Sequence, residues 1–166
     1  MEVIYAREDL PEYLPNSLFL VGPTPRSELV PSWRPEVLRL LGERAFTGTV
    51  LVPEDRPDAD GKIRYKGDYN DQVGWETEGL EKATAILTWV PRNLETMPAY
   101  TTNVEFGMWL NSGKMVFGAP LEAPKNTYLR WHAERAGISS STTLPATVDA
   151  ALELLGRLGG GATQNN

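Results

Sequence analysis

A parallel α/β sandwich is the fold class this chain predicts, and three observations predict it. Short apolar runs of strand length recur at 18–21, 49–52, 85–90 and 114–117. Stretches with helical apolar spacing separate them, and strands alternating with helices imply right-handed crossovers and a sheet covered on both faces. The length of 166 residues suits one domain with a single core, in which roughly two thirds of the unfolded chain's surface becomes buried.

Taken in order, residues 1–16 are polar and contain Pro11 and Pro15. They read as an N-terminal arm that packs on the core or on a neighbouring subunit. The run LFLV at 18–21 lies between Asn16-Ser17 and Gly22-Pro23, as a central strand with both faces covered would. A helix follows over 35–42, with apolar residues at 37, 38, 40 and 41 and with Ser32 and Pro35 near its start, the residue types that open helices. TVLV at 49–52 is a second strand closed by Pro53. From 53 to about 74 the chain is polar, turn-rich and nearly free of aliphatics. Loops of that length inside a domain are often functional lids, and Tyr65 and Tyr69 favour that reading. A helix over 72–83, a strand over 85–90, a helix over 103–110 and a strand over 114–117 come next. A helix at 126–136, a short edge strand at 139–143 and a last helix at 145–158, apolar at Val148, Leu152 and Leu155, complete the pattern. The expected architecture is a flavodoxin-like (Rossmann-like) three-layer sandwich with five parallel strands in the order 2-1-3-4-5. Residues 17–158 form the domain, and 159–166, which begin GGG and bury nothing, form a frayed tail.

Composition excludes several function classes. Lys+Arg number 16 against Asp+Glu 22, a net charge of -6, which leaves no broad counterion-release drive toward a nucleic-acid polymer. A free nucleoside or nucleotide needs only a few local donors. The chain has no cysteine, so disulfides, thiolate catalysis and cysteine metal sites are out. His132 is the one histidine, expected at an exposed position of a charged late helix. No metal and no cofactor are called for. The first residues lack the apolar region of a signal peptide and no run has the length of a membrane span, so a cytoplasmic protein with no membrane partner is expected.

The chemistry concentrates in AILTWVPR at 85–92 and TTNVEFGMW at 101–109. An apolar strand ends at Pro91, and a polar Thr-Thr-Asn opens a helix carrying Glu105 in its first turn. Ligands of open α/β sheets bind at the carboxyl ends of the strands, so a carboxylate there is well sited, and Glu105 is the candidate nucleophile. The same residues, Thr102-x-x-Glu105, also fit a capping box in which the two side chains satisfy helix N–H groups. GPTPR at 22–26 sits at the first strand-to-loop junction. Its backbone N–H groups and Arg26 suit an anion, although a tight proline turn with a solvated Arg explains it as well. Trp33 and Arg34 would close the same pocket, and Arg92 is a further anion or sugar contact. Of five tryptophans, Trp75 and Trp89 are the pocket candidates, with burial as the alternative. Trp109 and Trp131 look like packing or subunit contacts.

SLFLVGPTPR at 17–26, SWRPE at 32–36, QVGWE at 72–76, LTWVPR at 87–92, TTNVEFG at 101–107 and SGK at 112–114 together resemble the nucleoside 2-deoxyribosyltransferase-like family, from about 17 to 155. The resemblance implies an enzyme of N-glycosidic bonds. Glu105 would be its nucleophile at the anomeric carbon, with Gly22, Pro23, Thr24, Arg26, Trp33, Asp71, Trp75, Trp89, Arg92, Thr102 and Asn103 around the substrate. Nucleotide-hydrolysing relatives hold a 5′-phosphate with the loop that corresponds to Thr24 and Arg26. Gly107 would let its helix pack closely on a strand or ligand. Breaking such a bond passes through an oxocarbenium-like state that a carboxylate can stabilise or capture.

This chain departs from the family at three helper positions. Ala83-Thr84 stands where relatives commonly have Ala-Asp, Ala99 where some have an Asp, and Phe19 where some have a Tyr supporting the nucleophile. The proton for the leaving base would then come from Asp71, Glu76 or Glu95. Three functions follow: deoxyribosyl transfer between bases, hydrolysis of a nucleoside 5′-monophosphate, and nucleotide binding without catalysis; a plain structural subunit is the bland rival. Relatives assemble so that a neighbour helps close the site, and a homodimer or larger homo-oligomer is expected.

Overall fold

The computed structural model describes residues 1–27, 29–61, 63 and 68–160. The strands are β1 (Glu2–Tyr5), β2 (Ser17–Val21), β3 (Thr49–Val52), β4 (Ala85–Trp89), β5 (Met115–Gly118) and β6 (Ser140–Ser141). The helices are α1 (Arg34–Glu43), α2 (Tyr69–Lys82), α3 (Tyr100–Trp109), α4 (Thr127–Arg135) and α5 (Leu144–Gly160). All six strands are parallel, in the order β1-β3-β2-β4-β5-β6.

The fold is α/β, and β2 to β6 run in the expected 2-1-3-4-5 order, but the sheet has six strands rather than five. The sixth comes from the N-terminal residues. Glu2 to Tyr5 pair in register with Thr49 to Val52, and Ile4, Ala6 and Leu14 are buried, so this stretch is an edge strand and its return path. It places Arg7 at the carboxyl edge of the sheet.

Strand residues alternate between two cores, as a period of two requires. Phe19, Val21, Leu51, Ile86 and Phe117 meet Trp75 and Leu80 of α2, Phe106 of α3 and Leu129 of α4. Leu18, Leu20, Val50, Val52, Leu87 and Val116 meet Val37 and Leu41 of α1 and Val148, Ala151 and Leu155 of α5. Two helices on one face and three on the other make the three layers.

Two helix starts differ from expectation, each by three residues. α2 begins at Tyr69 because Asp68 caps it, its carboxylate accepting from Asn70 N at 2.8 Å. α3 begins at Tyr100, entered from Ala99 in the left-handed region at φ 62, a conformation that costs a residue with a Cβ about 1–2 kcal/mol. Much of the expected lid is built into the body: Pro53, Glu54 and Asp55 are buried and Tyr69 starts a helix. Tyr65, the other half of that reading, lies outside the described residues, as do 161–166 of the expected tail. Residues 159 and 160 belong to α5.

Candidate active site

Where the strands end, six segments surround a cavity of about 660 Å³: the loops after β1, β2 and β3, the starts of α1 and α2, and α3 with its lead-in. One wall is the loop 22–26 after β2. Gly22 is required there by close approach: a Cβ would sit 2.2 Å from the Trp89 carbonyl oxygen and 2.5 Å from the Trp33 ring. Trp33 Nε1 donates to the Pro23 carbonyl at 3.0 Å, and Arg26 N donates to Thr96 O at 3.0 Å, tying this loop to the segment that leads into α3.

Beneath the loop lies a buried ion pair. Arg34, at the start of α1, and Glu54, just after β3, are each 1 % exposed and meet at 2.7 Å. Arg34 also donates to Gly22 O at 2.7 Å and to Thr24 Oγ1 at 3.3 Å, while Glu54 accepts from Ser32 Oγ at 2.8 Å. Charges taken this far out of water persist only when paired and hydrogen-bonded. The pair therefore locks three chain segments, from α1, β2 and β3, into one rim.

Across the cavity stand two carboxylates, Glu76 on α2 and Glu105 on α3. Glu76 accepts from Gln72 Nε2 at 2.8 Å. The Gln72 amide is oriented in turn because its oxygen accepts from Arg7 Nη1 at 3.3 Å, and Arg7 is ion-paired with Asp55. Glu105 makes no hydrogen bond or ion pair among the described residues. Burial, reinforced by the neighbouring Glu76 charge and opposed by Arg34, pushes its carboxyl up to about 7. Burial raises Glu76 as well, against the Gln72 hydrogen bond and Arg34. Burial thus raises both carboxyls, and the Glu76 charge raises Glu105 further, as two acids in one poorly solvated site do.

The cavity brings together Gly22, Pro23, Thr24, Arg26 and Glu105 of the residues predicted from sequence, with Arg34 and Glu76. The others lie elsewhere. Trp33 and Trp89 are buried beneath the floor in the α1/α5 core. Trp75 is in the opposite core, 5.9 Å from the Phe19 ring, and donates to Glu8 O. Asp71 and Glu95 are exposed and line no part of the cavity, which leaves Glu76 as the one of the three proposed proton sources that does. Thr102 is 1 % exposed, its hydroxyl unpartnered.

Three details of the α3 reading need correction. Glu105 is in the second turn rather than the first; the residue at the cap is Ala99, with no side-chain cap bond, so no capping box forms; and Gly107 faces open space, an added Cβ meeting nothing within 4 Å. Arg92 and Asn103 point to a second cavity on the far side of α3, together with His132, which is partly buried rather than exposed.

Arg7, Glu54, Asp55, Gln72 and Tyr100 are among the site residues that sequence reasoning missed. Glu54 and Asp55 sit in a stretch that reads as polar loop, and only the arrival of Arg34 and Arg7 from distant segments makes them interior. The QVGWE string containing Gln72 was the one available signal.

A six-stranded parallel α/β sheet with a paired-carboxylate cavity at its carboxyl edge is the class of protein that this fold and site define. The chain belongs to the nucleoside 2-deoxyribosyltransferase-like family: the model described as "Nucleoside 2-deoxyribosyltransferase like" matches residues 15–123. The match spans β2 to β5 and, apart from Arg7, every residue named above as lining the cavity; it ends before the 155 that the motifs led us to expect. No curated protein matches the chain. Among the described residues no helix is long and apolar enough to cross a membrane, and no group of three or more His, Cys, Asp or Glu side chains stands close enough to hold a metal ion.

Proposed function

We propose that this protein cleaves the N-glycosidic bond of a nucleoside or nucleotide, with Glu105 as nucleophile and Glu76 as proton donor. The observation that carries the reading is an unpaired, partly buried Glu105 that lines a cavity of about 660 Å³ together with a second raised carboxyl, Glu76. In the first step the ionised Glu105 carboxylate bonds to C1′ as the bond from C1′ to the base breaks. The electron pair leaves with the base nitrogen, which takes the Glu76 proton. In the second step an acceptor base, or water, attacks C1′, gives its proton to Glu76 and releases Glu105. Transfer to a second base is the family's eponymous reaction, and transfer to water makes the protein a hydrolase. Arg26, whose guanidinium makes no ion pair among the described residues and lies 5.4 Å from the Tyr100 ring, and Thr24 favour a substrate with a 5′-phosphate. A homo-oligomer fits the exposed Tyr100, Val104 and Met108 along α3.

A second reading, nucleotide binding without turnover, draws on the missing helpers. The Thr84 hydroxyl is tied to Leu14 O and Ser17, and Phe19 is wholly buried against Trp75, so both positions are structural. Incubation with nucleosides, 5′-monophosphates and NAD, with and without an acceptor base, separates the readings. We expect base release by wild type and a loss on the order of 10³-fold or more in Glu105→Gln. Nucleotide-induced thermal stabilisation with no release under any condition favours the binding module. An unchanged rate in Glu105→Gln overturns the nucleophile assignment.

A further inference from the structure

On the far side of α3 from Glu105, a second cavity of about 350 Å³ opens between α3 and α4. The two cavities share no lining residue. Asn103, Phe106 and Gly107 face this one, roughly half a turn round the helix from Glu105. Its polar end is Arg92, only 8 % exposed. One Nη of Arg92 donates to Asn103 Oδ1 at 2.6 Å, but Nε is buried with no partner, and no carboxylate pairs with the guanidinium among the described residues. Burial alone acts on its proton affinity, drawing it down from the ordinary arginine value, and no nearby acid opposes that. Buried guanidinium groups are otherwise held by anions. Here Arg92 lines a cavity to which no carboxylate contributes.

The rest of the lining suits one kind of occupant. No acidic side chain contributes to it, whereas Lys125 and His132 do, in a chain whose net charge is -6. Phe106, Leu110 and Leu129 supply an apolar wall. The His132 ring is fixed against Tyr128, their centroids 4.4 Å apart. We propose that this cavity binds a small organic anion, its carboxylate or phosphate oxygens on the Arg92 guanidinium and its apolar body against Phe106 and Leu129. The guanidinium fork matches either oxyanion, and the cavity has room for a body about the size of one aromatic ring.

His132, the one histidine of the chain, lines the cavity and reports occupancy through its ring resonances. Titration with benzoate, phenyl phosphate and the neutral benzamide should give saturable shifts with an anion and none with benzamide. The tighter of the two anions identifies the head group. Arg92→Gln should weaken binding at least tenfold. Gly107→Leu, placed where an added Cβ meets nothing within 4 Å, should fill the void and abolish binding with the Arg92 charge intact, and it decides the matter even if Arg92→Gln does not fold. Benzamide binding as tightly as benzoate, wild-type affinity retained in Gly107→Leu, or no His132 shift at tens of millimolar of either anion would overturn the proposal.

Discussion

The two faces of α3 hold two arginine environments that contrast in charge balance. Toward Glu105, Arg34 is buried with its counter-ion Glu54 and reaches three further oxygens or neighbours, Gly22 O, Thr24 Oγ1 and the Trp33 ring. Toward α4, Arg92 is nearly as buried yet has one side-chain amide and no acid among the described residues. The same residue type is a structural strut in one place and an unsatisfied charge in the other. Burial alone does not tell the two apart; the partner list does.

The contrast breaks most sharply at the strut. Glu54→Gln leaves the Arg34 charge buried without a counter-ion, and a loss of about 3–5 kcal/mol in stability is expected from chemical denaturation. Next comes pH. The Glu105 carboxyl is raised in the folded protein from 4.5 to about 7, so its ionisation opposes folding. The contribution is absent below about pH 4.5, grows as pH rises between the two values and levels off above 7. Glu105→Gln should therefore be more stable than wild type at pH 8, by on the order of 3 kcal/mol, and indistinguishable near pH 4. Equal stabilities at pH 8 would show that the carboxyl is better solvated than its setting implies. Gly22→Ala forces a Cβ into the Trp89 carbonyl and the Trp33 ring, with an expected cost of about 1–3 kcal/mol read as a lowered melting temperature. The smallest effect is the sharpest comparison: Arg92→Met removes a charge that no acid balances, and a change within about 1 kcal/mol of wild type, in either direction, is expected by the same denaturation measurement.

Most of the sheet was legible because strand burial leaves a local mark. LFLV, TVLV and AILTW are short apolar runs between turn residues, and five strands in the order 2-1-3-4-5 followed. β1 left no such mark. Glu2, Val3 and Tyr5 are not fully buried, as suits an edge, and what makes the segment a strand is a parallel pairing with residues 47 positions away. In the site, Glu105 and the loop 22–26 were visible as a carboxylate and an anion-suited turn after strand ends. The tryptophans were not, because Trp33, Trp75 and Trp89 look alike in sequence whether they line a cavity or lie beneath it. Glu76 was one carboxylate among three until α2 turned it inward and left Asp71 on the surface.

By itself the sequence determined the alternation of strands and helices, the absence of thiol chemistry and the position of a carboxylate just past a strand end, since each depends on residue type and local spacing. Only the tertiary structure decided that Glu54 is interior, that Glu76 lines a cavity together with Glu105 and that Arg92 opens away from both. Those outcomes depend on which side of a helix meets the sheet and which distant charge arrives beside it, and a parallel fold settles both through contacts between segments far apart in the chain.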